Sequence, residues 1–492
     1  MAFSTSSSYN DIQRVLESTP NDPLPSPGSL AKATASIHLV LPDSGLGEEA
    51  TAAHLINDLI PGFNGPKTSS NYYGFVTGGV FPIAEVADNI VTAFDQNVQV
   101  HLPDQSTSTI IEDKALSMLA ELLHLDSFSG KTFTTGATSS NILGLACGRQ
   151  HVIAQKLRAR GYSDDAAELG ILEACMKAGI TKVQVLTAMA HSSTYKAASV
   201  VGIGRANVKD IGIKVQPWRI DMDSVEEELK REGVMSIVSI TAGEVNTGRF
   251  TVESPDMKRL RDLCDKHGSW LHLDGAFGLF ATALPQESQF ESLRDVTSQL
   301  HLAHSIGGDG HKMLNVPYDC GFFFTKQSSI LSDVFQNPNA AYLSFGPSKI
   351  LSPLNIRIEN SCRFRALPVY AVLLAYGREG LAKIFASQVL LARSIAAFLD
   401  DHAEYELLTH CKHGPKAVEQ YGSIHMVVLF RAKDEKINEE VTARINATRK
   451  IYVSGTKWEG KPACRIAIST WKVDVQRDLK TITEVLEEVL QS

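Results

Sequence analysis

The chain has 492 residues, 43% hydrophobic and 21% charged, an ordinary globular balance with enough length for two domains and an arm rather than one core. A net charge of −8 and a pI near 6.0, with no basic stripe interleaved with aromatics, give no footprint for nucleic acid. Seven cysteines (Cys147, Cys175, Cys264, Cys320, Cys362, Cys411, Cys464) are odd in number, scattered and never in a Cys-x-x-Cys pair, which argues against a disulfide framework and a metal site and favours a reducing compartment.

The opening Met1 to Ser8 lacks a basic region followed by an apolar core, and no apolar run approaches the roughly 20 residues needed to span a bilayer. The end, Val489 to Ser492, carries no retention or peroxisomal signal. A cytoplasmic location without membrane attachment is the expectation.

Residues 1 to about 30, rich in Ser, Asn and Pro, read as a flexible lead-in, and Leu30 to Phe63 as helical, so that 1–68 form an N-terminal arm. From 69 to 345 strand-like and helix-like segments alternate, the pattern of an α/β domain with a mostly parallel sheet and crossover helices. The clearest strands are Val183 to Leu186, Ser236 to Ile240, Trp270 to Leu273 and Gly321 to Thr325. Between two of them Asp256 to His267 reads as a helix, with Pro255 near its start and Gly268 just past its end. Residues 346–492 read as a mobile loop and a smaller α+β domain: helices at Ala366 to Tyr376, Gly380 to Asp400, Asn438 to Thr448 and Asp474 to Gln491, with apolar segments at Met426 to Phe430 and Ala463 to Ser469. No internal repeat is visible.

The chemistry is carried by segments at the ends of these strands, where open α/β sheets keep their ligands. Thr134-Thr135-Gly136-Ala137-Thr138-Ser139 opens a helix, and such a loop either cradles a phosphate on unpaired N–H groups or is a plain helix cap. His191 lies just beyond a strand tip, where it could stack on a flat ring or be an ordinary buried histidine. Thr241, after another strand, could donate to a ring substituent or sit in a turn. Asp274 ends the strand Trp270 to Leu273; a buried carboxylate there needs a cation or donors, which a pyridinium N–H or a structural partner would supply. Lys312, set in Asp309-Gly310-His311-Lys312-Met313, is a candidate Schiff-base lysine. Strand-tip acid followed by His-Lys is the order expected of a pyridoxal 5'-phosphate (PLP) enzyme.

These residues resemble the fold-type I, group II PLP-dependent amino-acid decarboxylases, which include the aromatic-amino-acid, glutamate and histidine decarboxylases. The resemblance runs from about Ser70 to the C-terminus. It is carried by Asn71 to Pro82, Thr135 to Asn141, Ala190 to Ser193, His272 to Phe277, His311-Lys312, Ser361 to Leu367 and Trp458 to Ile468. It implies Lys312 as the internal-aldimine lysine, Asp274 as pyridinium partner and His191 as ring-stacking base. It further implies Gly136, Ala137 and Thr138 at the phosphate with His311 beside it, Ala276 against the ring, and Thr241 as a cofactor contact. Tyr72, Phe75 and Thr77 resemble a substrate-pocket wall, contributed across a homodimer interface. One departure concerns the product. The aromatic branch of the family carries, on a loop after the lysine strand, a tyrosine that protonates the intermediate left when carbon dioxide departs, but Ser344 to Ser361 contains none and Tyr342 stands at its edge.

The expected activity is therefore decarboxylation of an L-amino acid, with Tyr72, Tyr73, Phe75 and Phe345 leaning towards an aromatic or medium apolar side chain. Decarboxylation coupled to oxidative deamination, giving an aldehyde, and aldol-type lyase chemistry fit the same frame, and a cofactor-free scaffold is the remaining alternative. Arg363 and Arg365 either bind a carboxylate or pair with acids in the small domain.

Overall fold

In the computed structural model, residues 3–338, 349–408 and 421–491 are described. They fall into two compact units: a larger one, Val80–Val389 with Cys411–Val427, and a smaller one that joins Met1–Gly79, Leu390–His410 and Val428–Ser492.

The larger unit is built on seven strands: β1 (Gly130–Thr134), β2 (Lys182–Thr187), β3 (Val208–Asp210), β4 (Val234–Thr241), β5 (Trp270–Asp274), β6 (Ser305–Asp309) and β7 (Gly321–Thr325). Their order across the sheet is β1-β7-β6-β5-β4-β2-β3. β6, β5, β4, β2 and β3 run parallel, while β7 is antiparallel to both β6 and β1. Strands such as β5 and β7 form here because their apolar runs are buried on both faces, and all five residues of β6, Ser-Ile-Gly-Gly-Asp, are buried between them. Helices α1 (Ala137–Ala159), α2 (Ser192–Val200) and α3 (Ser254–His267) follow β1, β2 and β4. α3 starts with Pro255 in its first turn and stops at Gly268 in the left-handed region, φ 63°.

α1 is more deeply buried than its amphipathic sequence suggests. Gly144 and Gly148 let it approach the sheet closely: a Cβ on Gly144 would lie 2.3 Å from the His272 ring, and one on Gly148 2.9 Å from Trp270. Leu143, Val152, Val185, Ile237, Trp270 and Phe323 fill the core between helix and sheet.

The alignment of the strand ends positions the site. Thr241 stands opposite Asp274, and Asp274 opposite Gly307. Two residues further on, Asp309 faces Gly321, which in turn faces Thr134. The ends of five strands thus meet at one edge.

The smaller unit holds a four-stranded sheet of Tyr405–Leu407, Val427–Ala432, Lys461–Ala467 and Ser454–Trp458, in that spatial order, with helices Glu435–Ala447 and Val475–Gln491. Its N-terminal part is not the flexible lead-in expected of residues 1–30. Helices form at Thr5–Ser18 and Pro27–Ser36 because Ser4 and Ser26 cap them, each accepting an N–H three residues on, and Pro27 suits a first helical position.

The two helices expected over Ala366 to Asp400 are present, broken at Gly377 (φ 57°) within Ala366–Asp401. Taken across that break, the segment Ala366–Asp401 is long and apolar enough by composition to cross a membrane, where no such run was expected. Just over half of its most apolar stretch is buried within the protein.

Candidate active site

Asp274, at the tip of β5, is 4% exposed, and both its oxygens are met. Ala276 N–H donates to Oδ1 at 3.1 Å and Asn141 Nδ2 to Oδ2 at 2.8 Å. Asp309, at the tip of β6, is 2% exposed. Its Oδ1 accepts the N–H of Ala137 at 2.6 Å, its Oδ2 lies 2.6 Å from Lys312 Nζ, and its own N–H donates to the carbonyl of Ala276. Ala276 therefore ties the two acids together through its backbone. Ala137 and Asn141 are one helical turn apart on α1, about 6 Å along the axis. Asp309, which holds the Lys312 amine, and Asp274 are thus linked both through the Ala276 backbone and through the first turns of α1.

Lys312 is half-buried, with its ammonium 5.8 Å from the centre of the Phe277 ring. Beside it, His311 accepts the N–H of Cys320 on Nδ1, so Nε2 carries the proton, and its ring stacks on Tyr318 at 4.1 Å. Burial pushes the His311 imidazole below its usual range, with Asp309 pulling the other way. The neutral ring is therefore the favoured form.

The start of α1 supplies donors. Gly136 precedes it without a side-chain cap, and the N–H groups of Thr138 and Ser139 meet no acceptor among the described residues. Gly136 is needed for close approach, since a Cβ there would meet Asp309 Oδ1 and His311 Cε1, each at 3.3 Å. Unmet N–H groups at the head of a 23-residue helix suit a phosphate monoester. With Lys312 and the Asp274 carboxylate close by, the residues present fit PLP.

His191 caps α2: its Nδ1 accepts from Ser193 N–H at 3.2 Å and faces Ser193 Oγ at 2.8 Å, and the residue is exposed, not the buried histidine of the bland alternative. Thr241 N–H donates to Thr251 Oγ1, and the residue lies opposite Asp274 in the sheet.

Tyr72, Phe75 and Thr77 belong to the smaller unit. There Tyr72 is buried against Tyr452, ring centres 4.8 Å apart, and Tyr73 is fully buried. Phe75 is 62% exposed at φ 56°, held by its N–H to Ser454 Oγ and by Arg465 on its carbonyl. Arg363 and Arg365 pair with Asp88 and Asp319, both 2.8 Å away and both in the larger unit rather than the small domain. Tyr342 and Phe345 lie outside the described residues.

Sequence reasoning missed Asp309 and Asn141. Asp309 was visible as the acid three residues before Lys312, and Asn141 as the polar residue one turn into α1; in both cases the partner is more than 130 residues away in the chain or hidden in a turn.

Residues 78–418 match the model of the pyridoxal-dependent decarboxylase conserved domain, a span that contains every site residue from Gly136 to Lys312. Among curated proteins, the chain is 24% identical to an L-2,4-diaminobutyrate decarboxylase of Acinetobacter baumannii, covering 82% of this chain and 77% of that one. It is 25% identical to tyrosine decarboxylase 2 of Arabidopsis thaliana, covering 87% and 76% respectively. A solved structure of Oryza sativa TDC with PLP and tryptamine superposes with a TM-score of 0.80 at 21% identity, covering 99% of this chain and 98% of that one. The chain belongs to the pyridoxal-dependent decarboxylase family, as a PLP-dependent carboxy-lyase of fold type I.

Proposed function

We propose that the protein decarboxylates a free L-amino acid with an aromatic or medium apolar side chain to the corresponding amine. The observation that carries this reading is the attachment of two buried carboxylates to one turn of α1, one of them bonded to the amine of Lys312. Lys312 Nζ would hold the cofactor's aldehyde carbon, the Thr138 and Ser139 N–H groups its phosphate, and Asp274 its ring N–H, with the His191 ring over one face. PLP bound there supplies an electron sink for the pair left when a carboxylate departs. Asp274 serves this by keeping an acceptor fixed at the ring nitrogen, its other lone pairs already occupied by Ala276 and Asn141. Asp309 holds the amine of Lys312 in place.

A homodimer is part of the reading, with Tyr72, Phe75 and Thr77 forming a pocket wall across its interface. Its support is Phe75, an aromatic ring exposed on a backbone fixed in the left-handed region. A cytoplasmic location is supported by the cysteines, all unbridged among the described residues.

The second reading, release of an aldehyde after oxidative deamination, is favoured by one feature, the lack of tyrosine between Ser344 and Ser361. One experiment addresses both. Protein loaded with PLP is offered a panel of L-amino acids, with carbon dioxide detected and the organic product identified by mass. Amine without peroxide supports decarboxylation, aldehyde with peroxide the second reading, and no carbon dioxide from any amino acid overturns both.

A further inference from the structure

The geometry points to Asn141 as a positioning residue that locks the ring-nitrogen acid Asp274 and the ring-covering His191 into one register. This rests on the cofactor reading above.

Both N–H groups and the carbonyl oxygen of the amide are engaged. Asn141 is 2% exposed; its two N–H bonds go to Asp274 Oδ2 at 2.8 Å and Ser193 Oγ at 3.0 Å, and its Oδ1 meets His272 Nε2 at 2.9 Å. The orientation is forced, since an ionised carboxylate can only accept and must face the amide nitrogen. Ser193 Oγ, receiving from Asn141, gives its own proton to His191 Nδ1 at 2.8 Å. One side chain therefore joins the residue proposed beneath the ring nitrogen to the residue proposed over the ring face.

Behind the amide the donors continue in one direction. His272 is fully buried, and burial holds its imidazole down at about 3, so the ring is neutral and Nε2–H donates to Asn141. Its Nδ1 accepts from Ser305 Oγ at 2.9 Å, and Ser305 Oγ accepts from Trp270 Nε1 at 2.9 Å. The chain Trp270 to Ser305 to His272 to Asn141 ends on Asp274, each member buried and each bond polarising the next. A buried amide serving only the core would need partners, but not partners at both the proposed ring nitrogen and the proposed ring face of a cofactor.

The test uses the full-length protein with PLP and the variants Asn141→Leu, of similar shape, and Ser193→Ala, which cuts only the arm to His191. Read-outs are the PLP dissociation constant, the visible circular dichroism of the bound chromophore, its absorbance between pH 5 and 9.5, and the melting temperature of cofactor-free protein as a fold check. Asn141→Leu is expected to retain a borohydride-fixed adduct on Lys312, to bind PLP at least tenfold more weakly, and to lose most of the chromophore's circular dichroism, with kcat falling more than KM changes. Ser193→Ala should change the dichroism and pH profile while affinity falls less. Parent-like affinity, dichroism and pH profile in Asn141→Leu overturn the proposal, even if its melting temperature drops. If Asn141→Leu does not fold, a parent-like Ser193→Ala overturns it instead. A parent protein that forms no adduct with PLP is a distinct result, which removes the cofactor reading and this inference with it.

Discussion

One carboxylate, Asp309, holds both the ammonium of Lys312, 2.6 Å from its Oδ2, and the first N–H of α1, 2.6 Å from its Oδ1. The amine proposed to react is thereby fixed to the helix whose N–H groups are proposed to hold the cofactor's phosphate. The same contact places a negative charge where that phosphate is expected. In Asp309→Asn the amide can still accept from Ala137, while the charge that ties up the Lys312 amine and competes with the phosphate is gone. Cofactor-free Asp309→Asn should therefore capture PLP severalfold faster than the parent, followed as growth of the visible band. An unchanged or slower rate rejects this role.

Lys312→Ala should abolish the borohydride-stable adduct, and it should also cost stability. Removing the ammonium leaves a nearly buried Asp309 without its counter-charge, an expected loss of about 1–3 kcal/mol in cofactor-free protein. Adding Asp309→Asn should return part of that loss in urea unfolding. If the double variant is no more stable than Lys312→Ala, the ion pair is not the cause.

Gly144→Ala tests the close packing beneath Asp274. The new methyl would lie 2.3 Å from the His272 ring, so α1 or the ring must shift, at about 1–3 kcal/mol. A melting temperature within a degree of the parent's would mean that the helix moves away at negligible cost.

Phe75 separates backbone from binding. Its φ of 56° is unfavourable for any residue with a Cβ, so Phe75→Gly should relieve about 1 kcal/mol of strain, while its 62% exposed ring has little packing to lose. Melting should stay level or rise, and KM for an aromatic amino acid should increase if the ring forms part of a pocket wall. A lower melting temperature with KM unchanged assigns Phe75 to the fold alone.

Acid sensitivity follows from three histidines. Burial, the leading cause in each, holds His151 at about 4 and His272 and His304 at about 3, against an ordinary value near 6.5. Between those values the unfolded chain binds protons that the folded one refuses. Stability therefore falls as pH drops below about 6.5, by at most about 1.4 kcal/mol per pH unit for each ring, and these groups contribute no slope above it. Melting temperatures from pH 8 to 4.5 check this, and His304→Gln, which removes a ring bonded to Leu271 N–H, should flatten the acid limb.

The strands of the large unit were legible because burial on both faces demands uninterrupted apolar runs, and Trp270 to Leu273 is one. Asp274 stood out as the charge that ends such a run. Strands with one wet face were not: Ser454–Trp458 alternates in exposure and its sequence, Ser-Gly-Thr-Lys-Trp, carries no apolar period. The N-terminal helices were obscured by composition, although Ser4, Ser26 and Pro27 are the very residues that start them. Asn141 and Asp309 acquire meaning only when β1, β5 and β6 bring their tips together, and that alignment is a property of sheet order, which local pattern does not encode.

Residues near Tyr73 are stitched to residues near the opposite end of the chain: Tyr73 N–H reaches the carbonyl of Tyr452, Tyr452 N–H that of Asn71, Ala467 N–H that of Tyr73, and Ser70 Oγ the Asp478 carboxylate. During synthesis, a ribosome must deliver some 400 further residues before the segment around Tyr73 finds these partners, so the smaller unit is the last to mature.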